Sequence, residues 1–272
     1  SSYLTSCSGA VATNYSFTYV TGLVNVSNAT QTGFTVTVSP SATIYSGPST
    51  SVTLTFTPSG GTAGGTIVYT IPSPGTANCT LVGNVLTATA AGQCTIIATK
   101  SIANYNDRTV AIVYNVGAKQ VTLTAVMPSV TYGSAVPTIT YTVSGFLDGD
   151  SLTTLPTCWT NYSTTSAVNA LVTAYCSGAA ASSNYAITYL NGNAFVGKAP
   201  LTITASSHTV TYGDSVPTIT YTASGWVNGD NALAFTTVPS CSAGYFATSA
   251  AGVNVNTTCN NAARSEERRV GK

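Results

Sequence analysis

Charge is nearly absent from this chain. Only 6% of its 272 residues are Asp, Glu, Lys or Arg, the net charge is +1, and no Glu occurs before Glu266. A nucleic-acid surface needs clustered Lys and Arg to neutralise phosphates, so no nucleic-acid partner is expected. Disorder driven by high net charge is excluded on the same ground. His208 is the single His, and no C-x-x-C pair occurs, so the usual zinc spacings are missing. No Gly-rich loop followed by Lys is there to cradle a phosphate. Four Lys/Arg and five Asp make up the charge of residues 1–263, and the Asp residues form no acid pair outside turns. General acid–base and nucleophilic catalysis therefore have no visible machinery, and the chain reads as non-enzymatic with no cofactor. No apolar run approaches the ~20 residues of a membrane helix. The first residue is Ser rather than Met, which reads as a mature piece or a fragment.

What is there is repetition. Residues 130–145 read V-T-Y-G-S-A-V-P-T-I-T-Y-T-V-S-G and residues 210–225 read V-T-Y-G-D-S-V-P-T-I-T-Y-T-A-S-G, identical at 13 of 16 positions. A repeat of that fidelity means a tandem array of small modules. The seven Cys follow it. Cys158 and Cys176 are 18 residues apart, as are Cys241 and Cys259 at matching places in the two copies, while Cys79 and Cys94 are 15 apart and Cys7 is left over. Three disulfides within modules, Cys79–Cys94, Cys158–Cys176 and Cys241–Cys259, with Cys7 unpaired, imply an oxidising, extracytoplasmic setting. Each would stabilise its module by roughly 3 kcal/mol in the chain-entropy model.

Composition and repeat together divide the chain. Residues 1–22 read as the tail of a truncated module: Cys7-Ser-Gly-Ala and the Tyr15, Phe17, Tyr19 alternation match the segment after Cys176, and the alternation predicts a half-buried strand. Residues 23–117 carry short alternating runs at 34–38, 51–57, 66–71, 85–88, 94–99 and 109–116. Strands spaced by about 8–12 residues with turn clusters between them predict a β-sandwich. Residues 118–198 are one full module, with strands at 121–125, 138–143, near Cys158, at 170–176 and at 185–190. Residues 145–150 are a turn and 151–155 a short helical turn. Asn191-Gly192 is a hairpin signal, because both residues tolerate positive φ, with a returning strand at 194–196. Residues 199–263 are a second copy that stops after Cys259, which predicts an unpaired sheet edge. The last nine residues, 264–272, hold six charges, a composition break that reads as a non-native scar.

Two family resemblances follow. The T-A-N-C-T-L-V-G-N-V-L-T-A-T-A-A-G-Q-C-T-I-I-A-T-K run from Thr76 to Lys100, with Ala103-Asn-Tyr-Asn after it, resembles bacterial Ig-like domains. Tyr132-Gly133-Ser134, Tyr212-Gly213-Asp214, the V-P-T-I-T-Y-T-x-S-G-x-x-x-G-D run and the Lys-x-x-Leu/Val-Thr-x-Thr junction resemble the MBG domain. That domain is a β-rich repeat of long bacterial adhesin-like surface proteins. The resemblance implies a surface or secreted location, a stalk-like role, neighbouring modules of the same chain as partners, and a small β fold of β-grasp type with one short helix. The strand pattern alone fits a second Ig-like sandwich equally. The expected fold class is therefore all-β, an elongated tandem array of one Ig-like sandwich and small MBG-type modules.

Candidate ligand sites are few. Asp148-Gly149-Asp150 and Asn228-Gly229-Asp230 recur, which makes Asp148, Asp150 and Asp230 weak calcium candidates. Calcium takes six to eight oxygens, and these loops offer two carboxylates, so turn chemistry is the better reading. Trp226 aligns with Phe146 and reads as a core anchor, whereas Trp159 has only Ser242 opposite it in the other copy and is the candidate for a ligand contact. A self-made Lys–Asn cross-link is disfavoured, since Lys100, Lys119 and Lys198 have no Glu to assist them. The first functional reading is a non-enzymatic repeat region of an extracellular adhesin-like protein, acting as a spacer. The alternatives are a module binding a host glycan or surface protein, and an accessory array of a secreted polysaccharide-degrading enzyme.

Overall fold

The computed structural model describes residues 1–147 and 149–264. Asp148 and the residues after Arg264 lie outside that range. Among the described residues every regular element is a strand except one 3-10 turn, Ala232–Ala234, whose Asn231 side chain accepts from the Leu233 N–H at 2.9 Å. The chain divides into two compact units. One comprises residues 1–121, 145–151 and 181–186, and the other residues 122–144, 152–180 and those from 187 on.

In the first unit the core lies within residues 34–117. One sheet runs Ala42–Ile44, Arg108–Gly117, Gly92–Ser101, Thr66–Thr70, and a second runs Thr50–Thr53, Val85–Ala88, Cys79–Val82. In Gly92–Ser101 the residues Cys94, Ile96, Ala98 and Lys100 point inward, the alternation a pleated strand imposes. Ile96, Leu86, Tyr114 and Leu54 are fully buried, and the Cys79–Cys94 disulfide ties one sheet to the other. The single run read at 51–57 is two strands: Thr50–Thr53 joins Val85–Ala88, while Thr55–Gly60 pairs with Phe34–Ser39. Leu54 lies between them, buried on the same face as Thr50 and Val52, and its N–H donates to the Asn84 carbonyl at 2.7 Å. Beyond it the chain leaves Val85–Ala88 and pairs with Phe34–Ser39 in a separate two-stranded sheet.

Residues 14–19 are not a strand. Tyr15, Phe17 and Tyr19 stay exposed, and the strands nearby are Ser2–Thr5 and Gly22–Asn25, paired with each other. Alternation supplies a face, but a strand forms only where neighbouring backbone completes its hydrogen bonds. Tyr19 instead accepts from the Ala10 N–H at 2.7 Å and lies near Phe17.

The first repeat copy, most of which lies in the second unit, packs two sheets. Strands Thr140–Ser144, Lys119–Val126 and Tyr185–Leu190 form one, and Val130–Thr131, Gly192–Gly197, Leu171–Ser177 and Thr157–Thr160 the other. Leu123, Ala125, Ile139, Ala174 and Cys176 form a core drawn from both, and a second cluster gathers Val130, Tyr132, Tyr162, Val172 and Val196. The copy is thus sheet on sheet.

Two local expectations are corrected there. Residues 151–155 are not helical; Thr154 bridges Ala180 instead, and the Thr153 N–H also donates to the Ala180 carbonyl at 2.8 Å. Asn191-Gly192 is not a hairpin turn, because Tyr185–Leu190 and Gly192–Gly197 belong to different sheets. It is the corner where the chain changes sheet. Gly192 is required there for space: a Cβ would run into the Ala125 carbonyl and stand 2.7 Å from the Met127 nitrogen, a close backbone approach only Gly allows.

The second copy repeats the pairing in short form: Thr202–Ala205 with Tyr221–Ser224, and Ser240–Ala243 with Thr257–Asn260. Phe235–Thr237 pairs with Ala263–Arg264, so the backbone of Arg264 belongs to the sheet. Among its described residues only Pro239 and Tyr245 are buried.

Candidate functional site

The turn read at residues 145–150, which recurs at Asn228-Gly229-Asp230, is where the structure concentrates specific contacts. Asp150 N–H donates to the Leu147 carbonyl and Asp230 N–H to the Val227 carbonyl, each at 3.0 Å. Asn228 and Gly229 sit at φ +55° and +76°, which is the backbone of a type I′ turn. Its first residue is aliphatic, Leu147 or Val227, followed by polar residues and Gly.

Leu147 reaches to within 3.8 Å of where a Cβ on Gly47 would stand. Around it, Tyr185 lies edge-on to Phe146 at 4.8 Å and to the buried Tyr45 at 6.2 Å. The Tyr185 hydroxyl donates to Asp150 Oδ2 and accepts from the Leu147 N–H at 3.3 Å. Next to it, the Ala91 N–H donates to Asn184 Oδ1 at 2.8 Å. Burial pushes the Tyr185 hydroxyl above the ordinary tyrosine range, and the hydrogen bond to Asp150 adds to the effect.

Val227 packs on Gly133, where a Cβ would overlap its side chain. The Thr164 carbonyl accepts from the Gly133 N–H at 2.9 Å and from Asn228 Nδ2 at 2.7 Å. Below, the Tyr162 hydroxyl is held against the Thr131 and Ser134 carbonyls at 2.7 and 2.9 Å. One turn, repeated 80 residues apart, is therefore seated twice on a positive-φ glycine (Gly47 at φ +132°, Gly133 at +80°). The sequence marks these residues as turns through Asp148-Gly149 and Asn228-Gly229, but does not single out Leu147, Val227 or Gly47. The available signal was an aliphatic residue retained at the same place in both polar turns.

Of the calcium candidates, Asp150 is engaged by Tyr185 and Asp148 lies outside the described residues. Among the described residues no three His, Cys, Asp or Glu side chains gather. His208 is exposed and bonds Ser206 Oγ at 2.9 Å. Trp226 is half-buried against Phe235 at 5.1 Å.

Trp159 is 48% exposed and lies over Tyr175, its cross-strand partner, with ring centroids 5.8 Å apart and planes 23° from parallel. The same outer face carries Leu171 and Phe195, directly opposite each other and both exposed. Two cross-strand disulfides, Cys158–Cys176 and Cys241–Cys259, join strand neighbours at Cα separations of 4.1 and 4.0 Å. Cys7 is free and exposed.

Comparison with protein-family models now bears on these modules. The model of the MBG domain (YGX type) matches residues 121–195 and 201–264, together over half of the chain. The chain belongs to the MBG domain family. Residues 32–113 match the bacterial Ig-like domain, group 2. No curated protein and no solved structure matches the chain. The glycine of the family's Tyr-Gly-x signature is Gly133, the residue on which Val227 sits, so the signature lies at the contact between the two MBG repeats. The Gly47–Leu147 contact likewise joins the Ig-like segment to the first MBG repeat. No helix among the described residues is long and apolar enough to cross a membrane.

Proposed function

We propose that this chain is a non-enzymatic repeat region of an extracellular adhesin-like protein, in which modules 23–117, 118–198 and 199–263 act as a spacer and their partners are neighbouring modules of the same chain. The observation that carries this reading is the repeated cross-strand disulfide, Cys158–Cys176 and Cys241–Cys259, at one place in each MBG repeat. A disulfide persists in oxidising compartments, and a covalent staple in every module suits a chain that bears load. Under tension, the residues between bridged cysteines cannot extend. With a separation of 18 residues and about 3.3–3.6 Å per extended residue, each staple should withhold on the order of 6 nm. Single-molecule pulling of the exported chain with and without reductant tests this. Unfolding steps that lengthen by that amount on reduction support the reading, and unchanged steps contradict it.

The exposed Trp159–Tyr175 pair favours a second reading, a contact surface for a host glycan or surface protein. Aromatic faces stack on sugar rings and anchor protein interfaces. The discriminating experiment is a binding screen against glycans and matrix proteins with the intact chain and a Trp159→Ala variant. A spacer shows no saturable binding, whereas a binding module shows binding that the substitution removes.

A further inference from the structure

The two seated turns leave a third position open. In the second MBG repeat, Tyr212-Gly213-Asp214 rebuilds the seat found at Tyr132-Gly133-Ser134. Gly213 is at φ +91°, its N–H donates to the Ala247 carbonyl at 3.2 Å, and the Tyr245 hydroxyl contacts the Thr211 and Asp214 carbonyls at 3.2 and 3.0 Å. Ala247 and Tyr245 stand where Thr164 and Tyr162 stand in the first repeat. Yet no atom of the described residues lies within 4 Å of a Cβ placed on Gly213, whereas on Gly133 that place is filled by the Val227 side chain.

We propose that Tyr212-Gly213-Asp214 is a vacant docking socket, and that its partner is the aliphatic–Asn/Asp–Gly–Asp turn of a following MBG module. The aliphatic side chain would cover Gly213 as Val227 covers Gly133, and the turn's Asn would donate to the Ala247 carbonyl as Asn228 does to Thr164. Ordinary second copies of the chain are poor partners, because both of their turns are already seated, Leu147 on Gly47 and Val227 on Gly133. A tethered turn faces its own socket at an effective concentration of roughly millimolar, so it outcompetes a neighbour's turn at lower protein concentrations. The Tyr-Gly-x signature thus acts as the receiving half of a module-to-module joint, whatever the array is for.

The test frees one turn and asks whether it finds the socket. Gly133→Phe expels Val227. Unlabelled Gly133→Phe chain is added to isotope-labelled unaltered chain, and the amide signals of Gly213, Asp214 and Ala247 are followed up to roughly millimolar concentration, the range of the lost tether. The expected result is a saturable shift of those three signals, absent when the added chain also carries Val227→Asp. No shift, or the same shift from the Val227→Asp chain, overturns the proposal. Should Gly133→Phe not fold, Gly133→Ala carries the test, since a Cβ alone overlaps Val227. The readout does not depend on pulling mechanics or ligand binding, so its failure and that of the spacer reading are separable.

Discussion

The two MBG repeats share 13 of 16 residues over their signature stretch yet reach different degrees of burial. In the first, Val130 and Tyr132 are buried beside Val172 and Val196. In the second, their counterparts Val210 and Tyr212 line an open cavity with Tyr245 and Val255. The short strand Val130–Thr131 exists because Val196 and Gly197 pair with it in parallel; the same residues at 210–211 form no strand. A signature motif therefore does not make its own core. A strand more than 60 residues further along the chain, Gly192–Gly197, completes it.

The largest effect should come from removing that completing strand's entry. Gly192→Val forces a side chain into the backbone at Ala125 and Met127, and neither can yield. A loss of about 3 kcal/mol or more is expected, read by thermal or denaturant unfolding, and it should make the first repeat as exposed as the second. Next is the paired truncation of Leu123 and its repeat partner Ile203. Leu123 is fully buried, so Leu123→Ala should cost about 2–5 kcal/mol. Ile203 is only half-buried, and Ile203→Ala should cost about 1 kcal/mol. Equal costs would remove the contrast between the repeats.

Smaller effects sharpen the comparison of the two seated turns. Tyr185→Phe deletes the hydroxyl that holds Asp150 and Leu147, and should cost about 0.5–1.5 kcal/mol, whereas the Val227 turn, which has no such tyrosine bond, should be unaffected. The sign with pH follows from the raised folded value. Tyr185 stays neutral when folded at a pH where an unfolded tyrosine ionises. Its contribution is therefore full below pH about 10 and is lost as pH rises through the higher folded value. Alkaline unfolding of the chain should be less steep in the Phe variant. The smallest effect is expected at Tyr114, whose buried hydroxyl has no hydrogen-bond partner among the described residues. Tyr114→Phe should be neutral or slightly stabilising, measured by the same unfolding curves.

The all-β class and the two family resemblances were legible because they rest on local pattern: alternation in 92–101, turn clusters between short runs, and a repeat visible by inspection. What was misread shares one cause. Asn191-Gly192, residues 51–57 and residues 14–19 each carry a correct local signal, for a turn, for extended backbone and for a two-faced strand. Which sheet a strand joins, or whether it joins one at all, is decided by distant partners. The strands on either side of Leu54 pair with different partners, and Tyr15 stays exposed because no core packs on it. The turns were legible but their seats were not, since nothing in the letters around Leu147 refers to Gly47, 100 residues earlier. The paired Trp159 and Tyr175 rings likewise required the strand register.

The most direct measurement is native-state hydrogen exchange, comparing Val172 and Ala174 with their repeat counterparts Val255 and Thr257. If the strand Gly192–Gly197 completes one core and the other stands open, the first pair should exchange at least about 100-fold more slowly, a difference of about 2.7 kcal/mol in opening free energy. Equal protection in the two repeats would mean that the shared motif forms its core unaided, and would contradict the distinction drawn between them.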